Sequence, residues 1–176
     1  MPCCRASRRR AMNSPMNAEL CLRRKWTLRA HGRQLVLVKK PRERTEHVWM
    51  KAFLWALYLP EYPELTVEFS IGARYKPDVV ALGEVGRPVF WGEAGDVGLR
   101  KIQALTRRYR HTHIALAKWG VRLDPFVAIV EKAAAGCGRT APVDLIRFPR
   151  DSAGRFVDSH GTVRLTASDV ERKTVF

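Results

Sequence analysis

Cysteine is scarce in this chain. Its four copies, Cys3, Cys4, Cys21 and Cys137, stand at no zinc-like spacing. The neighbours Cys3 and Cys4 are poorly placed to bridge each other, so no disulfide framework is expected, and a reducing cytoplasm is the simplest setting. Long apolar runs are missing too. The longest, AFLWALYL at 52–59, falls far short of the roughly 20 residues that cross a bilayer, so no membrane partner is expected. There is no glycine-rich phosphate loop, no nucleophile elbow and no internal repeat. Acidic residues are sparse at one end only: residues 1–44 carry 13 Lys/Arg against 2 Asp/Glu, whereas residues 45–176 carry 19 against 15.

What remains is an ordinary globular composition with an uneven charge. At 176 residues and 46% hydrophobic content the chain can bury a core as one domain. Its net charge of +15 suits a polyanionic partner such as nucleic acid. Residues 1–24 read as a basic, disordered extension, either a nucleic-acid-binding arm or a tail that binds nothing in particular. Its first 16 residues are basic and free of acids, without the apolar centre of a secretory signal. They match an organelle transit peptide loosely in composition, and a translation start at Met12 or Met16 is an equal reading.

Periodicity divides the rest. KWTLRA (25–30) and RQLVLVKK (33–40) flank His31-Gly32 as a hairpin. A helix opens at PRERTE (41–46) and runs to Leu59, ahead of Pro60 and Pro63. LTVEFSI (65–71), PDVVAL (77–82) and PVFWGEAG (88–95) read as three strands. A helix over about 97–110 and a strand at HIALAKW (113–119) follow. Asp124-Pro125 starts another helix, which Gly136 ends. VDLIRF (143–148) is a further strand, and residues 151–176 read as a peripheral hairpin and tail of the same domain. Strands apolar on both faces call for helices on both sides of the sheet.

Two acids break this pattern. Asp78 and Glu93 sit inside apolar strand-like runs, where a carboxylate is costly unless something positive compensates it. With GEVGRP (83–88) as the connecting loop of a hairpin, Leu82 faces Val89 and Asp78 faces Glu93. Directly opposed side chains lie about 4.5–5.5 Å apart at Cβ, and like charges there repel. A divalent metal ion between them removes the conflict. The alternative is an ion pair, with Lys101 or Arg100 neutralising Glu93 and backbone hydrogen bonds holding Asp78.

This order, with Pro77-Asp78 on the second strand and Glu93 on the third, resembles the PD-(D/E)XK nuclease fold, and more narrowly its YaeQ-like branch. The points of likeness are the amino-terminal hairpin, the helix opening Glu43-Arg44-Thr45-Glu46 and reaching Trp55, the aromatic-flanked Glu93-x-Gly95, and LRKIQAL (99–105). They cover roughly residues 25–148. The resemblance implies a restriction-endonuclease-like α/β core over 25–150, a central mixed β-sheet flanked by helices in the order α-β-β-β-α-β. It also implies Mg²⁺ or Mn²⁺ as cofactor, DNA or RNA as partner, and phosphodiester hydrolysis. One position departs from the family pattern. The lysine expected two residues after the third-strand acid is replaced by Gly95, which makes Lys101 on the next helix its substitute.

On that basis Asp78 and Glu93 are the metal ligands, and hard cations take such oxygen donors. Lys101 is the catalytic lysine, Glu46 an outer ligand or supporting group, and Lys76, Arg100, Arg107 and Arg108 hold phosphates. Trp26, on the hairpin, is a base-stacking candidate. His111 and His113 share a strand side without an accompanying carboxylate and read as strand-edge residues. Two rival functions stand beside cleavage: an inactive nucleic-acid-binding module, suggested by Gly95, and a structural or partner-binding protein with a buried ionic network.

Overall fold

The computed structural model describes residues 24–176. Except for Arg24, the expected basic extension lies outside the described residues, with three of the four cysteines and both alternative starts. Strands β1 (Lys25–Ala30) and β2 (Arg33–Val38) pair antiparallel through His31-Gly32, both at positive φ (48° and 74°). Such a turn matches the twist of the strands it joins. Alternation buries Trp26, Leu28 and Ala30. Trp26 is therefore not an exposed stacking residue; its ring meets Trp49 edge-on at 5.7 Å.

Helix α1 (Thr45–Tyr58) starts later than PRERTE suggested, because residues 41–44 form a turn. Glu43 accepts a hydrogen bond there from the Lys40 N–H. The helix is buried almost all round, Lys51 included. The strand expected over 65–71 shrinks to β3 (Thr66–Val67). Its alternation is interrupted at Glu68, which takes φ +57°, a region few non-glycine residues adopt.

The remaining elements are β4 (Val79–Leu82), β5 (Pro88–Ala94), α2 (Leu99–Arg108), β6 (His113–Trp119), α3 (Asp124–Ala134), β7 (Val143–Phe148), the short α4 (Ser152–Phe156) and β8 (Glu171–Val175). Strands β3 to β8 form one six-stranded mixed sheet in chain order, parallel at β5–β6 and β6–β7 and antiparallel elsewhere. The order α1-β3-β4-β5-α2-β6 is the expected one. Residues 151–176 are not merely peripheral, since β8 pairs with β7 and completes the sheet edge.

Helices cover both faces. On the α1 side Phe53, Phe90, Ile146 and Phe148 close a core beneath the hairpin. On the other side Trp91, Ile114, Leu116 and Leu145 pack under α2 and α3 with Ile102, Leu105 and Val130. Burying each large apolar side chain is worth roughly 1.5–3 kcal/mol. The two layers thus pin β5 and β6 from both sides; β5 carries the acid Glu93, and α2 above it carries Lys101.

Candidate functional site at the ends of β4, β5 and β6

The hairpin register is the expected one over Val79↔Gly92, Val80↔Trp91 and Ala81↔Phe90. It slips by one residue at Leu82, which pairs with Pro88 rather than Val89. Asp78 stands one residue before β4, and its N–H donates to the Gly92 carbonyl at 3.1 Å. Its carboxylate caps the ladder, accepting from the Ala94 N–H at 2.8 Å and meeting His47 Nε2 of α1 at 3.2 Å. Glu93 shares the face of Trp91, under α2. There its Oε1 accepts from the Trp91 indole N–H at 2.7 Å and its Oε2 from Lys101 Nζ at 2.5 Å. The two acids stand at one strand end, Asp78 held by His47 from the α1 layer and Glu93 by Lys101 from the α2 layer.

Their environments push them apart. Burial favours the neutral form of Asp78, but the hydrogen bonds from His47 and the Ala94 N–H, with the charges of His47 and Lys51, hold its carboxyl below the usual range. For Glu93 burial wins over Lys101 and Trp91, and the charge of Asp78 adds to it, so its carboxyl is raised. Asp78 is thus held as the anion, and Glu93 keeps a proton more readily than an ordinary glutamate.

Gly95, two residues after Glu93, has φ +81°. Strand β5 ends at Ala94, and a lysine at 95 would be forced into the left-handed region. Lys101 reaches Glu93 from the first turn of α2 instead.

The other expected residues are placed as follows. Glu46, in the first turn of α1, is exposed and lines a cleft of about 750 Å³ with Arg42, His47, Gly95, Lys118 and Arg150. The cleft opens beyond the carboxyl ends of the parallel strands β5, β6 and β7, where α/β sheets commonly bind ligands. Lys76 and Arg100 are exposed on the segments leading into Asp78 and Lys101, and Arg107 and Arg108 are exposed at the far end of α2.

Several residues escaped sequence reasoning. Lys51 is 1% exposed, and its ammonium lies between Glu43 Oε1 at 2.5 Å and Glu68 Oε1 at 2.6 Å. Burial works against that charge, but the two carboxylates raise the Lys51 pKa. His47 had no sequence signal beyond its place near the start of α1. At the opposite end of the sheet His113 does have a carboxylate, against expectation. Its Nε2 meets buried Asp144 at 2.9 Å, and Asp144 also accepts from Tyr58 and Thr174. His111 lies before β6 and meets Thr140 at 2.7 Å.

This arrangement of sheet, hairpin and helices has solved counterparts. The YaeQ protein from Xanthomonas axonopodis pv. citri superposes with a TM-score of 0.54 at 15% identity, covering 85% of this chain and 93% of that one. The YaeQ protein from Pseudomonas syringae gives 0.56 at 14% identity, covering 85% and 90%. The fold is YaeQ-like. At such identities the likeness speaks to the fold alone. No protein-family model and no curated protein matches the chain. Among the described residues no helix is long and apolar enough to cross a membrane.

Proposed function

We propose that this protein is a metal-dependent nuclease of the PD-(D/E)XK type, hydrolysing phosphodiester bonds of DNA or RNA at the end of β4 and β5. The observation that carries the reading is that Asp78 and Glu93 both stand at the end where β4 meets the close of β5, Asp78 accepting from the Ala94 N–H at 2.8 Å and Glu93 meeting Lys101 Nζ at 2.5 Å. Two carboxylates are a fitting oxygen donor set for Mg²⁺ or Mn²⁺, and Asp78 and Glu93 would hold the ion. Bound there, it would polarise a phosphoryl oxygen and acidify a water. Trp91 orients Glu93 and His47 orients Asp78 through their ring N–H groups. Lys101 supplies a positive charge where negative charge develops on phosphate. Glu46 is a supporting group at the mouth of the neighbouring cleft. Exposed Lys76, Arg100, Arg107 and Arg108 position the phosphate backbone.

The test is incubation of the full chain with single- and double-stranded DNA and RNA, with Mg²⁺, Mn²⁺ or EDTA. Cleavage that needs the metal and drops at least about 100-fold in Asp78→Ala and in Glu93→Ala is expected. Undiminished cleavage in both variants removes the site.

A second reading is an inactive nucleic-acid-binding module on the same fold. It is favoured by Gly95 and by the fact that each acid already meets a nitrogen-bearing side chain, His47 for Asp78 and Lys101 for Glu93. Salt-sensitive binding without cleavage, equal in wild type and Asp78→Ala, supports it.

A further inference from the structure

Beside Glu93, on the α2 side of the sheet, lies a second and smaller cavity that the catalytic reading does not use. It measures about 160 Å³, and Tyr75, Trp91, Leu105 and Tyr109 supply its walls. Trp91 and Tyr109 have ring centroids 5.0 Å apart at 34°. Tyr75 comes from the segment before Asp78 and Tyr109 from the end of α2. Two exposed arginines edge the cavity. The Arg74 guanidinium lies 5.4 Å from the Tyr75 ring centre and that of Arg108 lies 5.7 Å from Tyr109. The cavity and the acid site share their wall. Trp91 donates to Glu93, and Lys101 Nζ is 5.6 Å from the Tyr75 ring while bonded to Glu93.

Flat aromatic walls with a cationic rim are the chemistry of a nucleotide: the half-buried Tyr75 and Tyr109 rings, backed by the fully buried Trp91, offer ring surface to a base, and the arginines offer charge to the phosphates on either side. A purely apolar ligand would leave the arginines without a role. A base inside a duplex is stacked on both faces and cannot enter such a cavity without leaving its stack. We propose that this cavity takes the base of an unpaired nucleotide whose phosphate lies at Glu93 and Lys101, so that the substrate is a single strand or a frayed strand end. The proposal rests on the nuclease reading for the phosphate's fate, but not for the base's seat.

Binding without catalysis separates the two. Single-stranded DNA and RNA oligonucleotides carrying one 2-aminopurine are titrated with the full chain in EDTA, beside the matching duplexes, an abasic version and free adenosine monophosphate. Expected are quenched 2-aminopurine emission with the single strands, little with the duplexes, and about 10-fold weaker binding of the abasic strand. Tyr75→Ala weakens binding by about 10-fold and Tyr75→Phe restores it. Ala104→Trp, which fills the cavity from α2 and leaves Tyr109 in place, abolishes the quenching. Equal binding of duplex and single strand without quenching, wild-type binding in Tyr75→Ala and Ala104→Trp, binding of the free mononucleotide but not the strands, or no binding at all overturns the cavity. Quenching that persists while added Mg²⁺ or Mn²⁺ produces no cleavage upholds the cavity and removes the nuclease reading. Cleavage that treats duplex and single strand alike, with no quenching in EDTA, does the reverse.

Discussion

Buried charge at single residues sets the chemistry of this chain. Lys51 replaces a solvated helix lysine with an ammonium clamped by two carboxylates. Lys51→Met leaves Glu43 and Glu68 without it. Breaking such a pair costs about 3–5 kcal/mol in a fully buried setting, and partial exposure of Glu68 brings the expected loss toward about 3 kcal/mol, read by urea denaturation. Asp144 provides a pH test away from the acid site. Burial opposes its charge, yet hydrogen bonds from His113, Thr174 and Tyr58 prevail and its carboxyl is lowered. A lowered folded value means that the unfolded chain takes up the proton first. The stability from Asp144 is therefore complete above about pH 3.9 and is lost as pH falls through its folded value. Denaturation midpoints between pH 5 and pH 2 should fall more steeply for wild type than for Asp144→Asn. Parallel curves would mean that the network carries no linked stability.

At the scale of elements, β5 packs tightly at Gly92, against β4 and beneath α1. A Cβ there would stand 3.1 Å from Val79 Cβ, 3.3 Å from Phe90 and 3.4 Å from Leu54 of α1. Gly92→Ala is expected to cost about 1–3 kcal/mol by overpacking. Because Gly92 lies between Trp91 and Glu93, the backbone shift also disturbs the Glu93–Lys101 pair. On the proposed nuclease reading, cleavage in Gly92→Ala should therefore drop even at temperatures where circular dichroism reports a fully folded chain. Unchanged activity would mean that the strand absorbs the methyl without moving the acid.

Over the whole molecule the excess of cations sets the test of the proposed nucleic-acid partner. With a net charge of +15, nucleic-acid affinity should fall steeply with salt. Arg100→Ala and Arg107→Ala, both on α2, should each weaken binding alike across sequences and reduce the slope of log affinity against log salt by about 0.9. Slopes identical to wild type would move the phosphate path off α2.

Strands β6 (113–119) and β7 (143–148) were legible to the residue, because continuous apolar runs between turn signals have no other home than a sheet covered on both faces. The register of Val79 to Ala81 against Gly92 to Phe90 was legible because strand pairing counts residues, and the slip at Leu82 lies on the loop side of that count. Strand β8, ERKTV, was not: its polar edge pattern looks like any exposed tail until β7 pairs with it. Nor were Lys51 with Glu68 or His113 with Asp144, whose partners stand 17 and 31 residues away. By itself the sequence determined the local periods, the order of elements and the register of one hairpin, since these follow from neighbours along the chain. The tertiary structure alone decided which cation meets which acid, because a buried charge takes its partner from whatever the packing of distant elements brings within hydrogen-bond reach.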